Sequence, residues 1–258
     1  MQKEILGGNR DTTLLKIIAG VCMIVDHMGV RLFNNMIEMR IIGRIAFPLY
    51  VWCLVVGACC TRNGYKYALR LLAVGVISQP FYMLGLNHAW NQLSVFATLL
   101  TGYLGILGMR ERKYGSQYWA PLLALALACV VKMDYGWKGV LLILLMYMTR
   151  QDARGIAALM IAFCLFWGGN TIAVQSVLGY ELSGGFWDTD IVKPLLRVQA
   201  LALLAMPLIL WPRQKRTREP FRWAGYLVYP GHLLLLWIAQ LLMGITTMEK
   251  SMQLLFPG

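Results

Sequence analysis

Along this chain apolar residues come in long runs, without the alternation of a half-buried strand or the one-sided stripe of a surface helix. Runs of about 15–20 residues predict helices apolar on every face, able to cross ~30 Å of hydrocarbon at ~1.5 Å per residue. Nine such stretches are predicted, at about 14–33, 41–60, 68–86, 93–109, 118–132, 136–149, 154–170, 195–211 and 222–243. The fifth and sixth are short, and the turn Lys132-Met133-Asp134-Tyr135-Gly136 between them is tight, so they are expected to form a hairpin. The fold class is all-α: a polytopic transmembrane helical bundle of about nine spans, with residues 1–258 as one domain.

Composition agrees with that pattern. Of 258 residues, 59% are hydrophobic and only 14% charged, which excludes a soluble globule and leaves no length for a separate extramembrane domain. The first apolar run follows Lys3 and Arg10 as a signal peptide would, yet it continues into Asp26-His27 without a small-residue cleavage site and is expected to stay as a span. The six cysteines lie in or at the ends of apolar runs, with no CxxC and no His at zinc-ligand spacing, so they read as buried thiols and no metal is expected.

Lys and Arg number 24 against 12 Asp and Glu, a net charge of +12. In a membrane protein this excess reports orientation first, and nucleic acid is a poor partner. Alternate loops separate it. One side holds sixteen basic residues, in the groups Lys3, Arg10, Lys16; Arg62, Lys66, Arg70; Arg110, Arg112, Lys113; Arg150, Arg154; and Arg213, Lys215, Arg216, Arg218, Arg222. The other side holds eight. The N-terminus is therefore expected in the cytoplasm. The longest outer connection, 171–194, carries the acidic residues Glu181, Asp188 and Asp190, an acidic patch in an otherwise basic chain.

Ionisable groups inside a bilayer are costly and mark polar interiors. Asp26 and His27 lie in the outer half of the first predicted span, and neighbouring helical positions point ~100° apart, so each needs its own partner. His27 is either a base in a lined cavity or a hydrogen-bonded node between helices. Arg44, near the depth of Asp26, either pairs with that carboxylate or snorkels to the outer surface. Pro48 is expected to kink the second span. In the last span Tyr229 and Pro230-Gly231 precede His232, near mid-bilayer, where a disrupted helix would expose backbone to an interior cavity. Arg62, Lys66 and Arg70 satisfy the positive-inside rule and would also cradle a phosphate.

Three motifs resemble the TraX family, whose name comes from N-terminal acetylation of conjugative pilin. They are Val25-Asp26-His27-Met28, Gly43-Arg44-Ile45-Ala46-Phe47-Pro48-Leu49, and Tyr229-Pro230-Gly231-His232-Leu233, with intermittent agreement through Tyr135-Gly136-Trp137-Lys138-Gly139. The resemblance implies an acyltransferase of the bacterial inner membrane that moves an acetyl or short acyl group from cytoplasmic acetyl-CoA to an amine or hydroxyl on the far side. His27 and His232 would correspond to the family's histidines. Asp26 and Arg44 would orient His27 and stabilise charge, while Arg62, Lys66, Arg70 and Tyr229 would hold CoA. Glu181, Asp188 and Asp190 would meet the acceptor, a protein N-terminus, peptide or glycan. Membrane lipids are the other expected partner. The competing expectation is a proton-coupled transporter with Asp26, His27 and His232 as its relay.

Overall fold

The computed structural model describes residues 6–169, 171–182, 184–190, 192–213 and 224–255, with the backbone only for Asp188 and residues 224–226. Helices begin where an apolar run follows a side chain that can accept from the first unpaired amides. Asp11 Oδ1 accepts from Leu14 N at 3.1 Å and starts α1, Thr12–Arg31. After α2 (Ile37–Gly43) and α3 (Ala46–Cys60), Asn63 Oδ1 accepts from Lys66 N at 2.9 Å and opens α4, Gly64–Leu86. That helix ends at Asn87 in the left-handed conformation, φ 57°, which asparagine tolerates. Next come α5 (Val95–Glu111), α6 (Ser116–Val130), α7 (Gly136–Thr149) and α8 (Ala153–Gly168), the last capped by Asp152. The short antiparallel strands β1 (Ser176–Val177) and β2 (Tyr180–Glu181) follow, then α9 (Met206–Leu210), α10 (Ala224–Leu242) and α11 (Met248–Leu255).

The chain is predominantly helical, and helix falls within each of the nine apolar stretches. Among the described residues, three helical segments are long and apolar enough to cross a membrane: Thr12–Arg31, Ile37–Cys60 and Gly64–Leu86, of 20, 24 and 23 residues.

Proline acts differently at different places. The second stretch is broken at Arg44-Ile45, between α2 and α3. Pro48 lies in the first turn of α3, where its missing N–H costs nothing, and its ring would strike the carbonyl four residues back, at Arg44, in a continuous helix. The break thus precedes the proline. In α10 the expected disruption does not occur: the helix runs through Pro230. The eighth stretch is less regular than expected, with turns over 192–199, a 3-10 segment Ala200–Ala205 and then the five-residue α9, which has Pro207 in its first turn. The amphipathic α11 was not anticipated, because it is polar on one face; Trp237 Nε1 donates to Ser251 Oγ at 3.0 Å and ties it to α10.

The described chain forms two compact units, one of residues 6–50 and 149–213, the other of 51–148 and 224–255. In the first, residues 7–11 are strapped across the ends of other helices: Gly7 N donates to Arg150 O at 2.9 Å, Asn9 N to Ile209 O at 2.7 Å, and Arg213 Nε meets the fully buried Asp11 at 3.1 Å. In the second, glycines give α5 a flat face. An added Cβ at Gly102 would come 2.6 Å from Ile143 of α7, and one at Gly108 would overlap Ala120 of α6. The fifth and sixth apolar stretches are joined by the expected tight turn, and α6 packs closely along α5. Gln240 Nε2 donates to Gly85 O at 2.8 Å and couples α10 to α4.

Candidate functional site

The first unit contains a charged centre within its apolar helices. The segment after α1 turns through Asn34 and Asn35, both with positive φ, and lays α2 back along α1. Close approach requires small residues: a Cβ on Gly29 would come 2.6 Å from Met39 Cβ, and one on Gly43 would overlap the Asp26 side chain. Asp26 is 8% exposed.

Arg44 reaches that carboxylate. Its Nη2 donates to Asp26 Oδ1 and Oδ2 at 3.0 and 2.9 Å, its Nη1 donates to Gln199 Oε1 at 3.2 Å, and its Nε donates to Arg40 O at 3.3 Å. The guanidinium is thus engaged on three sides and its side chain is 12% exposed, so it does not snorkel. Arg40 Nη1 stands 3.4 Å from Asp26 Oδ1. Two guanidiniums on one carboxylate leave this centre with a formal excess of one positive charge. Gln199, itself buried, is steadied by Thr171: its N donates to Thr171 Oγ1 at 3.4 Å, while Arg197 Nη1 donates to Thr171 O at 2.7 Å. His27 is half-buried beside Asp26 on α1. Chemically, the centre offers a fixed cationic pair, and His27 is the residue that follows Asp26 on α1.

Arg40 and Gln199 were not anticipated. Arg40 had a readable signal, because it lies four residues before Arg44 and hence on the same helical face. Gln199 had none, being 155 residues away from Arg44 in sequence.

His232 and Tyr229 lie together in the second unit, both buried, with ring centroids 5.4 Å apart at 73°. His232 Nδ1 is 2.9 Å from Val228 O. A carbonyl only accepts, so Nδ1 carries a proton. Phe96 of α5 packs edge-on against Tyr229 at 5.0 Å.

Arg62, Lys66 and Arg70 are exposed around the start of α4. Nearby, Arg110 donates through Nη1 to Ala58 O and through Nη2 to Thr61 O, capping the carbonyl end of α3. Tyr229 is buried in α10, unlike those three cations. Glu181 and Asp190 are exposed; the Asp188 side chain lies outside the described residues. The hairpin that carries Glu181 is tied to α2 by Leu178 N, which donates to Glu38 Oε1 at 2.9 Å. Among the described residues no group of three His, Cys, Asp or Glu is placed to hold a metal ion.

The family model described as TraX protein matches residues 11–240. The chain is 30% identical over 249 residues to a probable fimbrial assembly protein FimC, serogroup H1, of Dichelobacter nodosus, covering 88% of this chain and 94% of that protein. It is 37% identical over 93 residues to an uncharacterized protein of Rickettsia prowazekii, covering 36% of this chain and 34% of that one. No solved structure gives a significant match.

Proposed function

Because the chain belongs to the TraX family, we propose that it is an integral-membrane acyltransferase which takes an acetyl group from cytoplasmic acetyl-CoA and delivers it to an acceptor on the opposite side of the bacterial inner membrane. The observation that carries this reading is the Asp26 carboxylate clamped between Arg40 and Arg44, one residue before His27 on α1. The topology it uses is nine spans with a cytoplasmic N-terminus, as the loop charges suggest. The similarity to a fimbrial assembly protein favours the amino end of a pilin-type subunit as the acceptor.

In this mechanism His27 takes a proton from the acceptor amine as its nitrogen attacks the thioester carbonyl. The carbonyl oxygen becomes an oxyanion in the field of the Arg40–Arg44 pair, whose positions are set before reaction by Asp26 and Gln199. As the tetrahedral species collapses, a C–N bond remains, the C–S bond breaks, and the imidazolium returns its proton to the CoA thiolate. Arg62, Lys66 and Arg70 serve the phosphates of CoA, and His232 is a second candidate base.

The test is CoA release from acetyl-CoA by the purified protein with amine and hydroxyl acceptors. His27→Ala is expected to lower it by at least about 100-fold while leaving the folded protein intact. Release that survives the substitution removes His27 from the reaction. If wild type neither releases nor binds CoA, acyl transfer falls and proton-coupled transport becomes the reading to pursue.

A further inference from the structure

The basic turn between α5 and α6 plays no part in the mechanism above, yet it is held in a defined shape at one end of the second unit. Arg110 donates to Ala58 O and Thr61 O, and Tyr103 Oη donates to Gly64 O at 3.1 Å, so the end of α5 is joined to the end of α3 and the start of α4. The chain then passes through Arg112, Tyr114 and Gly115, left-handed with φ of 54°, 53° and 72°, and leaves as α6. Trp119 Nε1 donates to Tyr114 O at 3.2 Å, and Ser116 Oγ donates to Gly108 O at 2.8 Å, which fixes the turn from its far side. Left-handed backbone is unfavourable for arginine and tyrosine. What it achieves here is display, since Tyr114 is 97% exposed.

Two cations are displayed with it. Among the described residues the exposed Arg112 side chain meets no acceptor, and Lys113 has Glu111 alone, at 3.9 Å. The helices that leave this end carry exposed side chains in a fixed order. On α6, Tyr118 and Trp119 come first, and Leu122, Leu123 and Val130 follow. On α4, Tyr65 and Lys66 come first, and Val76 and Ile77 follow. Cations and rings with a polar tip thus give way to aliphatic side chains along both helices. That order is the profile of a bilayer met from its surface, with headgroups and interfacial aromatics before hydrocarbon. A soluble phosphate would call for the cations alone, whereas the exposed rings of Tyr114, Tyr118 and Trp119 have a use at the headgroup layer.

We infer that Arg112, Lys113 and Tyr114, with Tyr118 and Trp119 beside them, form a docking surface for the headgroups of anionic phospholipid. The guanidinium and the ammonium meet the phosphate oxygens, and the three aromatic rings lie among the headgroups. The inference stands apart from acyl transfer, because lipid binding is read without acetyl-CoA and the cations given to CoA above are not among these residues.

The test titrates the full-length protein in detergent with phosphatidylglycerol or phosphatidylcholine and reads the retained lipid by native mass spectrometry. Wild type should hold phosphatidylglycerol at least about tenfold more tightly than phosphatidylcholine. Arg112→Gln combined with Lys113→Gln should weaken phosphatidylglycerol about tenfold. Lys132→Gln combined with Lys250→Gln, an equal loss of charge just past the far end of α6 and on α11, should leave it unchanged. Tyr114→Gly should weaken it severalfold while leaving the melting temperature in lipid-free detergent unchanged or raised, because glycine accepts the left-handed backbone. A lowered melting temperature would make Tyr114 a packing residue and overturn the role given to its ring. Excess glycerol 3-phosphate should not displace the lipid; displacement would make the occupant a soluble phosphate and overturn the docking surface. Equal retention of the two lipids, retention of neither, equal weakening by the two double variants, or no weakening by Arg112→Gln with Lys113→Gln overturns the inference as well.

Discussion

Asp26, in the first unit, is held by two arginines of another helix, one of them braced by a distant turn, whereas His232, in the second, has its proton-bearing nitrogen placed by its own helix. The carboxylate draws Arg40, Arg44 and, through Arg44, Gln199. The imidazole uses the carbonyl four residues back, at Val228. The contrast follows from charge. An imidazole N–H needs an acceptor, which a helix supplies locally, while an ionised carboxylate needs counter-charge and donors that a helix turn does not carry. The ion pairs of the first centre are therefore a product of tertiary packing, while the Nδ1 hydrogen bond of the second is set within its own helix.

That contrast can be broken first at Asp26. Asp26→Ala leaves Arg40 and Arg44 facing each other without their shared anion, and it is expected to cost about 3 kcal/mol, read as thermal stability in detergent. Gly43→Ala should come next, at about 1–3 kcal/mol, since its methyl overlaps Asp26 and can be seated only by moving α2 away from α1. A Gly43→Ala protein as stable as wild type would mean that the two helices are not held at this distance. His232→Phe, which keeps the ring volume and removes the hydrogen bond to Val228, should cost about 1 kcal/mol. If His232→Phe proves as damaging as Asp26→Ala, the two centres are not held differently and His232 depends on contacts beyond its own helix.

Asp26 and Arg44 stood out in the sequence because charges inside apolar runs are rare and expensive. Their mutual pairing was one of two readings there, since depth along two helices does not say which faces meet. Arg40 lay just outside the second predicted span, which began at residue 41, whereas α2 starts at Ile37. Gln199 belongs to a stretch read as plain helix, where the chain instead forms turns and a 3-10 segment.

The sequence by itself determined that this is a helical membrane-type protein and where its helices lie, because apolar runs of this length have few other solutions and because Asp11, Asn63 and Asp152 cap helix starts through local hydrogen bonds. It also marked the residues whose burial is costly. Only the tertiary structure decided which partners meet that cost, and what each proline does. Pro48 is preceded by a break while Pro80 and Pro230 are carried within continuous helices. The physical reason is the same in both matters: a buried charge or a carbonyl deprived of its helical donor is tolerated only where some other part of the chain arrives to satisfy it, and that arrival is a property of packing.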